Sequence, residues 1–200
     1  MTEEKKDCYS GGERGFMEWG QKQRARLLAP LLNLLARWGV TANNITLLSA
    51  IFGLASCPAF LYSPFVGLVL LFIHVLLDGL DGPVARHSGS SSAKGSFTDT
   101  AVDQIVITVV MLTLMHMGII GPVTGAVYIF SYSIVVAFAI IRNYMNVPYS
   151  WLLRPRFVIY AWMVVEFYFW PHTLAYIVWF FNILLVGKLT SGFVKIRRKL

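Results

Sequence analysis

The chain has 200 residues, 56% of them hydrophobic and only 14% charged, with a formal net charge of +7. A soluble domain carries about 25% charged residues, so these numbers exclude an ordinary water-soluble enzyme or a disordered binding segment and point to an integral membrane protein. There are 2 cysteines; Cys8 lies in a polar stretch and Cys57 in an apolar run, which predicts two unpaired thiols rather than a disulfide.

Residues 1–12 are polar and expected to be mobile, and with no short apolar core near Met1 no signal peptide is expected. Residues 13–38 follow, including "GFMEWGQKQRARLLAPLLNLLARW" from Gly15. Leu27, Leu28, Leu31, Leu32, Leu34 and Leu35 recur at helical spacing among Lys22, Arg24, Arg26 and Arg37. That pattern predicts a basic amphipathic helix lying on an anionic membrane surface. In "GVTANNIT", Gly39 can end this helix, and Thr41, Asn43 or Asn44 can cap the next.

Six apolar segments then occupy residues 39–200: Asn44–Tyr62, Pro64–Gly82, Asp99–Ile119, Pro122–Ile141, Pro155–Trp170 and His172–Val194. A membrane span needs about 20 residues, so the fifth is short. The expected fold is an all-α integral membrane protein of six transmembrane helices, preceded by the amphipathic juxtamembrane helix. The turns near Ser63, Gly121 and Pro171 carry no Lys or Arg. The 83–98 loop (Arg86, Lys94), the 142–156 loop (Arg142, Arg154, Arg156) and the two ends carry nearly all of them. The positive-inside rule therefore places both termini and both basic loops in the cytoplasm. Trp151, Tyr168, Trp170 and Tyr176 are read as interfacial aromatic belts. "SGSSS" (Ser88 to Ser92) is read as a flexible loop.

The acidic residues carry the chemistry. Of 10 Asp plus Glu, five precede Arg24. Four of the others, Asp78, Asp81, Asp99 and Asp103, fall within 26 positions. A carboxylate in a bilayer costs roughly 2.5 kcal/mol or more, so the cluster needs a purpose. Asp78 and Asp81 share a helix face at i, i+3, and Asp99 and Asp103 share one at i, i+4. If the two helices are antiparallel neighbours, the four carboxylates meet just inside one membrane boundary. They could not all stay ionised there without cations. An oxygen-only set suits Mg²⁺, Mn²⁺ or Ca²⁺ rather than zinc, and two bridged hard cations suit phosphoryl transfer. Gly82 and Gly95 would let a ligand approach the backbone, Ala85 keeps that face small, and Arg86 can fork onto phosphate oxygens.

The block reads Asp78-x2-Asp81-Gly82-x2-Ala85-Arg86-x8-Gly95-x3-Asp99-x3-Asp103. At every fixed position it resembles the signature of the CDP-alcohol phosphatidyltransferases. "TANNIT" also resembles the Thr-Pro-Asn-x-x-Thr pattern that often precedes that family's first span, with Ala42 in place of proline. The resemblance implies transfer of a phosphatidyl group from CDP-diacylglycerol, or a related CDP-lipid, to a small polar alcohol, with release of CMP. It implies two divalent cations, Mg²⁺ or Mn²⁺, held by Asp78, Asp81 and Asp99 with Asp103 contributing, and it makes Asp103 the general base. Asp78, Gly82, Ala85, Arg86 and Gly95 would bind the CDP-lipid. A homodimer is typical of the family, and no nucleic-acid partner is expected.

Lys94, Arg142, Arg154 and Arg156 could form a cationic pocket for an acceptor with its own phosphate, such as glycerol 3-phosphate or an inositol phosphate. The fit to either subgroup is incomplete. "IIRNY" keeps only the arginine of the Lys-x-Arg-x-Glu run that inositol-phosphate users resemble, and "DTAVDQ" lacks the Pro-x-Ala-Asp-Lys run common in glycerophosphate users. Serine or choline is the alternative acceptor. Intramembrane prenyltransferases place their aspartate motifs farther apart in longer chains, and a cation transporter more often places carboxylates at mid-membrane. Glu166 is read as snorkelling or helix-paired, His74 as helix packing, and His87 as exposed in the loop.

Overall fold

In a bilayer an apolar run can satisfy its own backbone only as a helix or a closed barrel. The computed structural model describes residues 27–145, 149 and 154–199, and among them helices are the only regular structure. They are α1 (Leu27–Arg37), α2 (Ala42–Tyr62), α3 (Pro64–His87), α4 (Ala93–His116), α5 (Pro122–Tyr144), α6 (Pro155–Tyr168) and α7 (Leu174–Arg197). Five of them, α2 to α5 and α7, are long and apolar enough to cross a membrane. With 14 residues, α6 reaches about 21 Å against a hydrocarbon core of about 30 Å. The expected polar segment 1–12 and the first half of the 13–38 helix lie outside the described residues, as does Trp151.

The chain divides into two compact units. The first holds α1 to α4. Gly39, at φ +68°, adopts a left-handed conformation that other residues rarely adopt. The Gly39 N–H then bonds the Ala36 carbonyl and the Val40 N–H bonds the Leu35 carbonyl, the paired bonds of a Schellman turn. Thr41 is the N-cap of α2, its hydroxyl accepting from the Asn44 N–H at 3.3 Å. Leu28, Leu32 and Leu35 of α1 pack with Ile45, Leu77, Leu80 and Val84. A second stripe faces outward: Leu27 is 81% exposed and Trp38 71%, with Leu31 and Leu34 between them. The short helix thus has two apolar faces rather than one.

A single residue, Ser63, ends α2 and caps α3 ahead of Pro64. α2 packs along α3 and also against α4, whereas α3 and α4 make little direct backbone approach to each other. The two carboxylate-bearing helices, α3 and α4, expected from the sequence to be antiparallel neighbours, instead each pack chiefly on α2.

The loop expected over 83–98 shrinks to Ser88–Ser92. Pro83 does not end α3; in apolar surroundings continuing the helix costs less than leaving the following backbone groups unpaired. α3 stops at a second Schellman turn, with Gly89 at φ +67° and the Ser90 N–H bonded to the Ala85 carbonyl at 2.9 Å. α4 then starts at once, because the Ser92 hydroxyl accepts from the Gly95 N–H at 3.0 Å. "SGSSS" is thus a stop signal followed by a start signal.

The second unit holds α5 to α7. Both α5 and α6 pack on α7, around buried Tyr128, Val135, Ile159, Met163, Val178 and Leu185. Buried Asn182 donates to the Thr124 carbonyl at 3.0 Å. Of the two readings of Glu166, snorkelling or helix-paired, the second describes its contacts. Its carboxylate accepts from the backbone N–H groups of His172, Thr173 and Leu174 at 2.7, 2.9 and 2.7 Å. It therefore supplies the N-terminal cap that Thr173 does not make for α7, and its negative charge sits at the positive end of the helix. Tyr168, Trp170 and Tyr176 are exposed, in keeping with an aromatic belt.

Candidate active site

The long α3 and α4 put the whole 78–103 block on two helices joined by a five-residue turn. Asp78 is near the C-terminal end of α3, and Asp99 and Asp103 lie in the first three turns of α4. One carboxylate oxygen from each of the three lies within 4.8 Å of the others, and all three residues are partly buried. Three convergent oxygens with no nitrogen or sulfur among them fit a hard divalent cation. Asp81 is more deeply buried and stands outside this trio. It lies within hydrogen-bonding reach of Asp99 and electrostatic reach of Asp78, and its Oδ2 accepts from the Thr46 hydroxyl at 2.8 Å.

The remaining motif residues line the same two helix ends. At Gly82 a side chain would begin 3.3 Å from the Arg86 guanidinium, so glycine leaves room for that exposed cation to fold back over its own helix. The Ala85 carbonyl is used by the turn. The Gly95 N–H is the one that Ser92 caps, and Gly95 lies in the first turn of α4. Lys94 is exposed beside it. His87 is exposed but is the last residue of α3 rather than a loop residue.

His74, one turn before Asp78, is buried. Its Nδ1 lies 2.8 Å from the Ser49 hydroxyl and 3.0 Å from the Ser49 carbonyl. The packing role expected of it is thus a polar contact between α2 and α3.

The other cationic residues belong to the second unit. Arg142, at the end of α5, is 1% exposed, and its guanidinium carbon stands 3.8 Å from the centre of the Tyr149 ring. Tyr149 donates to the Lys188 carbonyl on α7 at 3.2 Å. Gly192 makes this possible, since a side chain there would collide with the Tyr149 hydroxyl and the Phe138 ring. Burial pushes the Tyr149 phenol above its usual range, against the opposing pull of Arg142. Arg156 is also buried, 4.6 Å over the Phe157 ring, while Arg154 is exposed. Sequence reasoning missed Thr46 and Tyr149. Thr46 had a signal in the last position of "TANNIT"; Tyr149 had none.

Residues 39–189 match the model of the CDP-alcohol phosphatidyltransferase family. The chain belongs to that family. Among curated CDP-alcohol phosphatidyltransferase relatives, archaetidylinositol phosphate synthase of Aeropyrum pernix is 38% identical over 96 residues, 48% of this chain and 50% of that protein. A bifunctional IPC transferase and DIPP synthase of Archaeoglobus fulgidus is 32% identical over 124 residues, 60% of this chain and 24% of that protein. The chain spans about half the length, or less, of these curated relatives. The fold is similar to that of Mycobacterium tuberculosis phosphatidylinositol phosphate synthase crystallised with CDP-DAG bound, with a TM-score of 0.73 at 21% identity over 84% of this chain and 92% of that one. The same synthase in complex with manganese and citrate gives a TM-score of 0.71 at 20% identity, over 82% and 86%.

Proposed function

We propose that this protein transfers a phosphatidyl group from CDP-diacylglycerol, or a related CDP-lipid, to the hydroxyl of a phosphorylated polyol, releasing CMP. The observation that carries the reading is the convergence of Asp78, Asp99 and Asp103 within 4.8 Å on the helix pair that holds the complete family signature. Asp78, Asp81, Asp99 and Asp103 hold two divalent cations, Mg²⁺ or Mn²⁺; when bound, these neutralise the pyrophosphate and the departing CMP. Gly82, Ala85, Arg86 and Gly95 receive the nucleotide end of the donor together with Asp78. Asp103 takes the proton of the acceptor hydroxyl. That oxygen attacks the phosphatidyl phosphorus, the bond from this phosphorus to the bridging oxygen breaks, and CMP leaves with the bridging oxygen.

The phosphorylated acceptor is supported by relatives whose names include inositol phosphate synthesis and by the buried guanidinium groups of Arg142 and Arg156. We assign Arg142, Arg154 and Arg156, with Lys94, to recognition of its phosphate. α6 counts as the sixth crossing, which leaves both basic ends and the active site on the cytoplasmic side, and the enzyme is proposed to act as a homodimer. The outward stripe of α1 is assigned to the membrane surface.

The test is purified protein with CDP-diacylglycerol, Mn²⁺ and a panel of alcohols: inositol phosphate, glycerol 3-phosphate, serine and choline. CMP release that depends on a phosphorylated polyol is expected. Dependence on serine or choline instead moves the acceptor to the unphosphorylated class. CMP release with none of the acceptors refutes the activity.

A further inference from the structure

The "TANNIT" stretch is left without a role by the carboxylate chemistry, yet it touches the site. Thr41 fixes where α2 begins, and five residues later Thr46 comes to the face that meets α3. There it is buried and donates to Asp81 Oδ2 at 2.8 Å, with the Ala42 carbonyl 3.1 Å away as a second partner. Less than one turn on, Ser49 donates to the His74 carbonyl at 3.1 Å and meets the His74 ring. α2 is also the helix against which both carboxylate-bearing helices pack. Asp81, whose carboxylate is held by α2 through this bond, is also the one outside the convergent trio.

We infer that Thr46 is a positioning residue of the cation centre. By engaging Oδ2 it fixes the orientation of the Asp81 carboxylate, which would serve one of the two cations beside Asp78 and Asp99. α2 thereby sets the geometry of one of the two cation positions while contributing no ligand. A hydroxyl serves because it donates one short bond without adding charge. The inference rests on the proposal that the carboxylates hold two cations.

The experiment is Mn²⁺ binding to the purified full chain in lipid nanodiscs, followed by electron paramagnetic resonance without CDP-lipid or acceptor. Wild type, Thr46→Val, Thr46→Ser and Ser49→Ala are compared. Loss of a group that orients a metal ligand typically lowers affinity 10–100-fold. Wild type is expected to take up two ions. Thr46→Val should retain one at wild-type affinity and bind the other at least about tenfold more weakly. Thr46→Ser should restore both, and Ser49→Ala should leave both unchanged. Should Thr46→Val not fold, Thr46→Ala replaces it. Two unaltered affinities in Thr46→Val, or equal weakening in Ser49→Ala, would overturn the inference, the second because it would mark a general packing effect. Failure of the wild type to bind any Mn²⁺ overturns the cation proposal itself, and the inference with it.

Discussion

Two polar regions of this apolar chain are built in opposite ways. On α3 and α4, four carboxylates lie within 26 positions and three of them converge, so like charges are gathered on one pair of helices. At the end of α5, the Arg142 guanidinium lies over the Tyr149 ring, and the ring is held in turn by α7. The first arrangement has electrostatic cost until cations arrive. In the second, the guanidinium lies on a ring face, a contact worth about 2 kcal/mol when desolvated. The carboxylates are thus left open to a ligand, and the guanidinium is held in place by its neighbours.

Removing a charge from the acidic region should have the largest effect. Asp103→Asn is expected to lower turnover about a thousandfold, within the span attributed to a general base, while CDP-lipid affinity changes only a few-fold. Rates of CMP formation and equilibrium donor binding check this pair of outcomes. Wild-type turnover would remove Asp103 as the base.

In the basic region the frame should matter as much as the charge. Arg142→Lys keeps the charge but loses the flat fork, and a rise of about tenfold or more in KM for the phosphorylated acceptor is expected, with kcat altered less. An unchanged KM would assign Arg142 to structure alone.

Gly192→Ala probes the aromatic frame. Forcing a methyl group against Tyr149 and Phe138 should cost about 1–3 kcal/mol, seen as a lower unfolding temperature in detergent. Gly187→Ala on the same helix has open space around it and should be neutral, or stabilising by up to about 1 kcal/mol. Equal effects of the two would show that Tyr149 does not depend on Gly192. Tyr149→Phe should be the mildest, losing the bond to Lys188 at about 1 kcal/mol and leaving acceptor KM within a few-fold.

How much of this was legible in the sequence follows from the range of each interaction. The carboxylates repeat at helical spacing on two successive helices, so the approach of Asp78, Asp99 and Asp103 could be anticipated, whereas Asp81, expected to join them, stands outside the trio. The hairpin's ends were misplaced because Pro83 and Gly95 look like punctuation. In the structure Pro83 is carried inside α3, and Gly95 donates the capping bond to Ser92. The helix pairing expected of Glu166 could be read only in outline, since a cap is ordinarily sought at the N-cap residue, whereas this carboxylate reaches α7 from the preceding helix. Thr46 was half legible, as part of a pattern without a partner. Tyr149 was not legible, because its partners Arg142, Lys188 and Gly192 lie up to 43 positions away and only the fold unites them.

The most direct test of the central claim is product analysis after incubation with CDP-diacylglycerol, Mn²⁺ and inositol phosphate carrying ¹⁸O in its free hydroxyls. Attack on the phosphatidyl phosphorus should give unlabelled CMP and a new lipid phosphodiester that retains ¹⁸O, and chelation of the metal should abolish both. Phosphatidic acid as the lipid product, or CMP formed at the same rate without any acceptor, would contradict phosphatidyl transfer by the Asp78–Asp103 centre.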